Sequence, residues 1–145
     1  MLYSSGCRVG ELVLAHVDDL DLEEGIWHIP AINTKSKRAR NPRLHKSVCN
    51  DIKAYMKAYN VFKGRLFDIG IRQVQNIVRK FGEKGRIEGL HPHTLRHSHI
   101  VHALMDGVAL AAVQKQVGHL DLRVTQIYAN LAVADVKKAY EKVEF

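Results

Sequence analysis

Five groups of polar residues in this 145-residue sequence carry side chains able to do chemistry. Arg8 sits in a Gly-Cys-Arg turn that enters a helix. Lys35, Lys37, Arg38 and Arg40 crowd one short polar stretch. His93, Arg96 and His97 fall on the first turns of another helix. His119 follows a glycine that stops a helix, and Tyr128 comes nine positions later. Guanidinium groups stay charged and offer two parallel N–H donors to a phosphate. Lysines and imidazoles move protons, and a phenol is a nucleophile once it has lost its own. Each group alone also has an ordinary reading. An arginine at a helix start is commonly a surface or salt-bridged residue, a histidine there a cap, a tyrosine in an Ile-Tyr-Ala segment core, and a basic loop merely solvated.

The elements that hold these groups follow from apolar spacing. Val9, Leu12 and Val13 share one face of a short helix over residues 8–14. Residues 18–30 read as a hairpin, with alternation on both sides of Glu24-Gly25. Residues 33–40 form a polar, basic loop, and 42–44 a third short strand. Val48, Ile52, Tyr55, Met56 and Tyr59 make one helical face, and Val74, Ile77, Val78 and Phe81 another. A helix opens after Pro92, carries Leu95, Ile100, Val101, Leu104 and Met105, and ends at Gly107. Leu110, Val113 and Val117 form a short helix that stops at Gly118. Val133, Val136, Tyr140 and Val143 give a last helix, residues 133–143, an apolar stripe with Lys137, Lys138 and Lys142 outside it. The expected fold is mainly α with a small three-stranded antiparallel β-sheet.

Composition bounds the alternatives. The hydrophobic fraction is 46% and the charged fraction 26%, enough apolar surface for a core. The length suits one domain. No apolar run is long enough for a membrane span, and MLYSSGCRVGEL lacks the basic-then-apolar pattern of a signal peptide. Two cysteines, Cys7 and Cys49, cannot build a disulfide scaffold and suit a reducing cytoplasm. The net charge of +7 permits a nucleic-acid partner without requiring one. Of nine histidines, His91, His93, His97, His99 and His102 lie close together, and the i,i+4 spacing of His93 and His97 can hold zinc. No H-E-x-x-H or C-x-x-C pattern accompanies them, so no metal is expected.

Together, YSSGCRVGEL, TKSKR, HTLRH and GHLDLRVTQIY resemble the tyrosine recombinase or phage integrase family. That family's pattern is an Arg in a G-x-R-x-x-E-L box, a Lys on a β-hairpin, an H-x-x-R-H box, and a Gly-His pair with a Tyr nine residues after the His. All occur here in order, over essentially the whole chain. Cys7 stands where an apolar residue is commoner, and Gly10 where Ser or Thr is frequent. Neither departure removes a functional group.

The resemblance implies a catalytic-domain fold of α+β type and a function in site-specific DNA recombination or integration. It implies Tyr128 as the nucleophile that forms a 3′-phosphotyrosine linkage and frees a 5′-hydroxyl. A second strand reverses the step, so bond energy is conserved and no ATP or other cofactor is needed. Arg8, Arg96 and His119 match the family's phosphate-binding groups, and Lys35 matches its general acid. Lys37 stays open for that role, because residues two apart in a hairpin share a side. His93 matches the first His of the H-x-x-R-H box, in acid–base support or phosphate contact. Glu11, three residues after Arg8, would orient its guanidinium. Lys37, Arg38 and Arg40 would follow the flanking DNA backbone.

The chain opens almost inside its first motif. By the resemblance, residues 1–145 are a catalytic domain without the N-terminal DNA-clamping domain and the first helix. The implied partners are double-stranded DNA and other protomers, in a tetramer on DNA linked through the helix at 133–143. Two neighbouring functions stay open at this point: a non-catalytic DNA-binding remnant, and strand relaxation of the type IB topoisomerase kind.

Overall fold

The computed structural model describes residues 1–118. Their helices are α1 (Leu2–Ser5), α2 (Val9–Val13), α3 (Lys46–Tyr59), α4 (Ile71–Lys84), α5 (Pro92–Met105) and α6 (Leu110–Val117). Strands β1 (Leu20–Asp21) and β2 (Ile26–Trp27) lie between α2 and α3, with single 3₁₀ turns at Val17–Asp19 and Ala31–Asn33. The residues expected as a last helix (133–143), and with them His119 and Tyr128, lie outside the described residues. Among the described residues, no helix is long and apolar enough to cross a membrane.

The hairpin forms as expected. Leu20 pairs with Trp27 and Asp21 with Ile26. Asp21 closes the turn by accepting the N–H groups of Glu23 (3.2 Å) and Glu24 (2.9 Å). Gly25 follows at φ 66°, where a Cβ would stand 2.8 Å from the Leu44 carbonyl oxygen. That turn needs glycine on both counts.

The expected third strand is corrected to two isolated bridges, Ile26 with Arg43 and Ile29 with Arg40, so the sheet has two strands among the described residues. The cause is Pro42. Residues 40–44 run antiparallel to 25–29 in one register. The Trp27 N–H donates to the Pro42 carbonyl (3.0 Å), Leu44 N–H to Gly25 (2.8 Å), and Ile29 and Arg40 exchange both bonds (2.8 and 3.1 Å). The bond Pro42 should return to Trp27 is missing, because proline has no N–H, and the ladder breaks there.

The core joins Leu12 and Val13 of α2, Trp27 and Ile29, Leu44, Ile52 of α3, Leu66, and Val74 and Val78 of α4. The α4 face is narrower than its spacing suggests. Ile77 and Phe81 are exposed, and the buried stripe is Val74, Val78 and Gly82. A Cβ on Gly82 would come within 2.7 Å of Leu90, so the glycine admits the turn that leads to α5. On α3, Tyr59 is also exposed, resting on Tyr55 with ring centroids 4.8 Å apart. Ile100, Val113 and Val117 form a second, smaller core between α5 and α6.

α5 begins where the sequence signals it. The His91 Nδ1 accepts the Thr94 N–H (3.2 Å), and Pro92 takes the first helical position, where no N–H is required. Beyond its end, Gly107 adopts φ 82°, and the Val108 N–H reaches back to the Ala103 carbonyl (2.9 Å).

Candidate active site

The first site residue is placed by a turn. α1 ends on Gly6, at φ 61°, and a Cβ there would lie 2.7 Å from both His99 of α5 and Val117 of α6. Only glycine lets the α1–α2 turn sit this close to those helices. Cys7 fills a fully buried position beside it, and burial pushes its thiol up to about 11. Arg8 then caps α2. Its N–H donates to Oε2 of Glu11 (2.7 Å), the third residue of the helix.

Arg96 fastens this turn to the end of α6. Its Nη1 donates to the carbonyls of Gly6 (2.6 Å) and Val117 (2.8 Å), and its Nη2 to that of Gly118 (3.2 Å). The residue is 4% exposed. Burial first, then the positive charge of Arg8, lowers its pKa to about 10, so it remains a cation at neutral pH. A guanidinium has five N–H bonds. Among the described residues, the Nε–H and one Nη2–H of Arg96 have no protein partner.

Glu11 is 2% exposed. Its expected partner, the Arg8 guanidinium, approaches only to 3.5 Å. The close partner is Arg40, whose Nη1 and Nη2 meet Oε1 and Oε2 at 2.8 and 2.6 Å. Burial alone would raise the Glu11 pKa. The Arg40 fork, the Arg8 N–H and both positive charges outweigh it and hold the carboxyl below its ordinary range. Arg40 therefore differs from Lys37 and Arg38, its neighbours in the basic stretch. Its side chain is 7% exposed, and its Nε donates to the Gln116 carbonyl (3.3 Å).

The loop before it is a tight turn. The Lys37 N–H donates to the Thr34 carbonyl (3.2 Å), and the buried Thr34 hydroxyl accepts the Arg38 N–H (3.1 Å). Lys37 adopts φ 54°, a region L-residues seldom occupy. Lys35, Lys37 and Arg38 are all exposed. Of the two lysines, Lys35 lines the cleft below, a cavity of about 360 Å³ whose walls include Arg8, Glu11, Asn33, Lys35 and His93. Lys37 does not.

His93 is exposed on the first turn of α5, its ring edge-on to His97 with centroids 5.1 Å apart. Partial burial and the charges of His97, Arg96, His91 and Arg8 lower its pKa, favouring the neutral ring. Among the described residues, no set of three or more His, Cys, Asp or Glu side chains converges as a metal site.

The structure thus brings Arg8, Glu11, Lys35 and His93 to one cleft, with Arg96 bonded to the turn just before Arg8. It places Arg40 in the wall behind Glu11, and Lys37 and Arg38 on the outer loop. The sequence reading missed Gln116. Its amide pairs with both main-chain groups of Arg43, at 2.9 and 2.8 Å, and joins the hairpin return to α6. A glutamine on a polar helix face gives no signal of such a role.

Residues 1–135 match the phage integrase family. The chain is 33% identical over 153 residues to tyrosine recombinase XerA of Thermococcus kodakarensis, an alignment covering 99% of this chain and 53% of that protein. It is 32% identical over 158 residues to tyrosine recombinase XerC of Thermodesulfovibrio yellowstonii, covering 98% and 52%. The chain spans about half the length of the curated relatives it matches. In fold it is similar to the crystal structure of XerA recombinase (TM-score 0.80, 24% identity, 99% of this chain and 56% of that one). It is also similar to XerH site-specific recombinase bound to palindromic difH substrate in a post-cleavage complex (TM-score 0.75, 21% identity, 97% and 43%).

Proposed function

The chain belongs to the phage integrase family, and on that premise we propose that it carries out the strand cleavage and rejoining of a tyrosine-type site-specific DNA recombinase. One observation carries the reading. Arg8, Lys35 and His93, from three separate stretches of chain, face one cleft of about 360 Å³.

In this reading the substrate is a phosphodiester of double-stranded DNA. Tyr128 gives its phenolic proton to solvent, its oxygen attacks phosphorus, the bond to the 5′-oxygen breaks, and a 3′-phosphotyrosine linkage forms. Lys35 gives its proton to the departing 5′-oxygen. A 5′-hydroxyl from another strand then attacks the linkage, returns a proton to Lys35 and releases the tyrosine, whose oxygen takes a proton back from solvent. Arg8, His119 and the two remaining N–H groups of Arg96 bind the non-bridging oxygens as charge builds on them. A neutral His93 supports proton transfer or accepts a hydrogen bond. Lys37 and Arg38 lie outside the cleft, where they meet the flanking backbone. Residues 133–143 link protomers on DNA. Deleting the residues beyond Ala132 is expected to abolish multi-protomer complexes in native gels, and intact complexes would remove that part of the reading.

The decisive experiment uses a nicked DNA substrate whose cleaved strand diffuses away and traps the adduct. The parent chain is expected to give a denaturant-resistant protein–DNA species. Tyr128→Phe is expected to give none while still shifting DNA in a native gel. An adduct of parental yield in Tyr128→Phe would overturn the assignment.

A further inference from the structure

We propose that Arg40 is a positioning residue that keeps Arg8 open to a phosphate by neutralising Glu11 itself. The proposal rests on the recombinase reading for the identity of the phosphate, and on the geometry alone for the competition between the two arginines.

A buried carboxylate requires a cation. Among the described residues, two guanidinium groups stand beside Glu11. Arg8 lies three residues earlier at the same helix start, the cheaper partner in chain entropy. Arg40 lies 29 residues away. Distance shows which holds the charge. Arg40 grips both carboxylate oxygens in a fork at 2.6 and 2.8 Å, whereas Arg8 offers one N–H at 3.5 Å. The Arg8 side chain stays 28% exposed and lines the cleft.

Arg40 holds this post because it is fixed from other sides. Its main chain exchanges both hydrogen bonds with Ile29. Its Nε donates to Gln116, and its guanidinium lies so close over Gly118 that a Cβ there would meet Cδ, Nε and Cζ at 3.1 Å. Arg96, a further nearby cation, is fixed on three carbonyls.

Without Arg40, the cation left beside Glu11 among the described residues is Arg8. The carboxylate then draws the Arg8 guanidinium into a fork of its own, and the donors meant for phosphate are lost. Neutralising Glu11 in the same molecule removes the competitor and releases Arg8. A merely structural role for Arg40 gives no such rescue.

The test compares the parent, Arg40→Met and Arg40→Met/Glu11→Gln by two readouts. The first is adduct formation on nicked DNA at saturating DNA. The second is the response of the Arg8 side-chain N–H signals in NMR to inorganic phosphate. Arg40→Met is expected to slow cleavage by roughly 100–1,000-fold, the usual loss for one preorganised donor, and to silence the Arg8 response. The double variant is expected to recover most of both. Parental behaviour of folded Arg40→Met, a double variant as impaired as the single one, or no Arg8 response in the parent would each overturn the proposal. If Arg40→Met does not fold, Arg40→Lys and the double variant decide. Both leave the Glu11 site neutral overall, so both must keep the Arg8 response, and its loss in either is fatal. A parent that forms no adduct but shows the Arg8 response, lost and regained as stated, refutes the recombinase reading and leaves this one standing.

Discussion

Arg40 and Lys37 lie three residues apart in one basic stretch and end in opposite surroundings. Arg40 is buried against a carboxylate and a helix terminus, whereas Lys37 is exposed at φ 54° on the turn. The contrast extends across the molecule. Arg96 and Arg40 form an inner frame whose N–H groups hold carbonyls and Glu11. Lys35, Lys37 and Arg38 form an outer rim of exposed residues. A surplus of positive charge therefore has two physical uses here. Inner cations are tied to the fold, and their loss is felt in stability. The exposed lysines of the rim cost the fold little and can meet a polyanion.

The largest effect is expected from Arg96→Met, which removes a frame cation and leaves three carbonyls without their donor. At about 1–3 kcal/mol for each unsatisfied buried group, partly relieved by water, the loss is roughly 3 kcal/mol. Urea unfolding should show it as a lower midpoint at unchanged slope. Adduct formation should fall by at least about 100-fold as well. Full stability in this variant would break the division between frame and rim.

Lys35→Ala comes next and sharpens the same division from the other side. On the proposed mechanism, cleavage falls by about 100–10,000-fold. Stability stays within about 0.5 kcal/mol, because the side chain is exposed. A substrate with a thiolate leaving group needs little protonation, so it should restore cleavage to Lys35→Ala but not to an Arg96 variant. Without that rescue, the acid role passes to Lys37.

A smaller effect, read against pH, follows from Glu11. Its folded pKa is depressed. Its contribution to stability is therefore complete above the ordinary carboxylate pKa of about 4.3 and is lost as pH falls through the folded value. The stability gap between the parent and Glu11→Gln should be widest near neutrality and narrow below about pH 4. A gap constant down to acid would show that Glu11 is not held as an ion by the frame.

Part of this division was legible in the sequence. The apolar periods of α3, α4 and α5 and the helix start at Pro92 followed from local rules, and so did Gly6-Cys7-Arg8 as a helix entry. Lys35, Arg8 and His93 as a set came from the family resemblance of the motifs that hold them. The fate of Arg40 did not, although half the signal was present. Arg40, Pro42 and Leu44 alternate with Asn41 and Arg43, and Pro42 and Leu44 are buried while Asn41 and Arg43 are exposed. Arg40 pairs with Ile29, itself buried. Residues directly opposite in an antiparallel pair share a face, so this register turns Arg40 inward. Accepting a buried arginine also required its carboxylate, and Glu11 already had a cheaper partner in Arg8. Long-range competition for one ion is decided by packing, which local spacing does not encode. The broken third strand is a milder case. Pro42 has no N–H wherever it stands, but the consequence depends on which residue it faces.

The smallest effect belongs to Lys37, and it tests whether the part of the rim outside the cleft acts only through charge. Lys37→Ala leaves the strained backbone as it is and removes one exposed cation. Stability should stay within about 0.5 kcal/mol. If Lys37 meets a phosphate, each contact contributes about 0.9 to the slope of log affinity against log salt. The variant should therefore bind DNA more weakly at low salt and approach the parent at high salt, its slope shallower by about one. Cleavage at saturating DNA should be unchanged, since counterion release acts on binding and not on the barrier. A fall in that saturated rate would place Lys37 inside the chemistry, beside or instead of Lys35, and the line between the cleft and the outer loop would have to be redrawn through the turn itself.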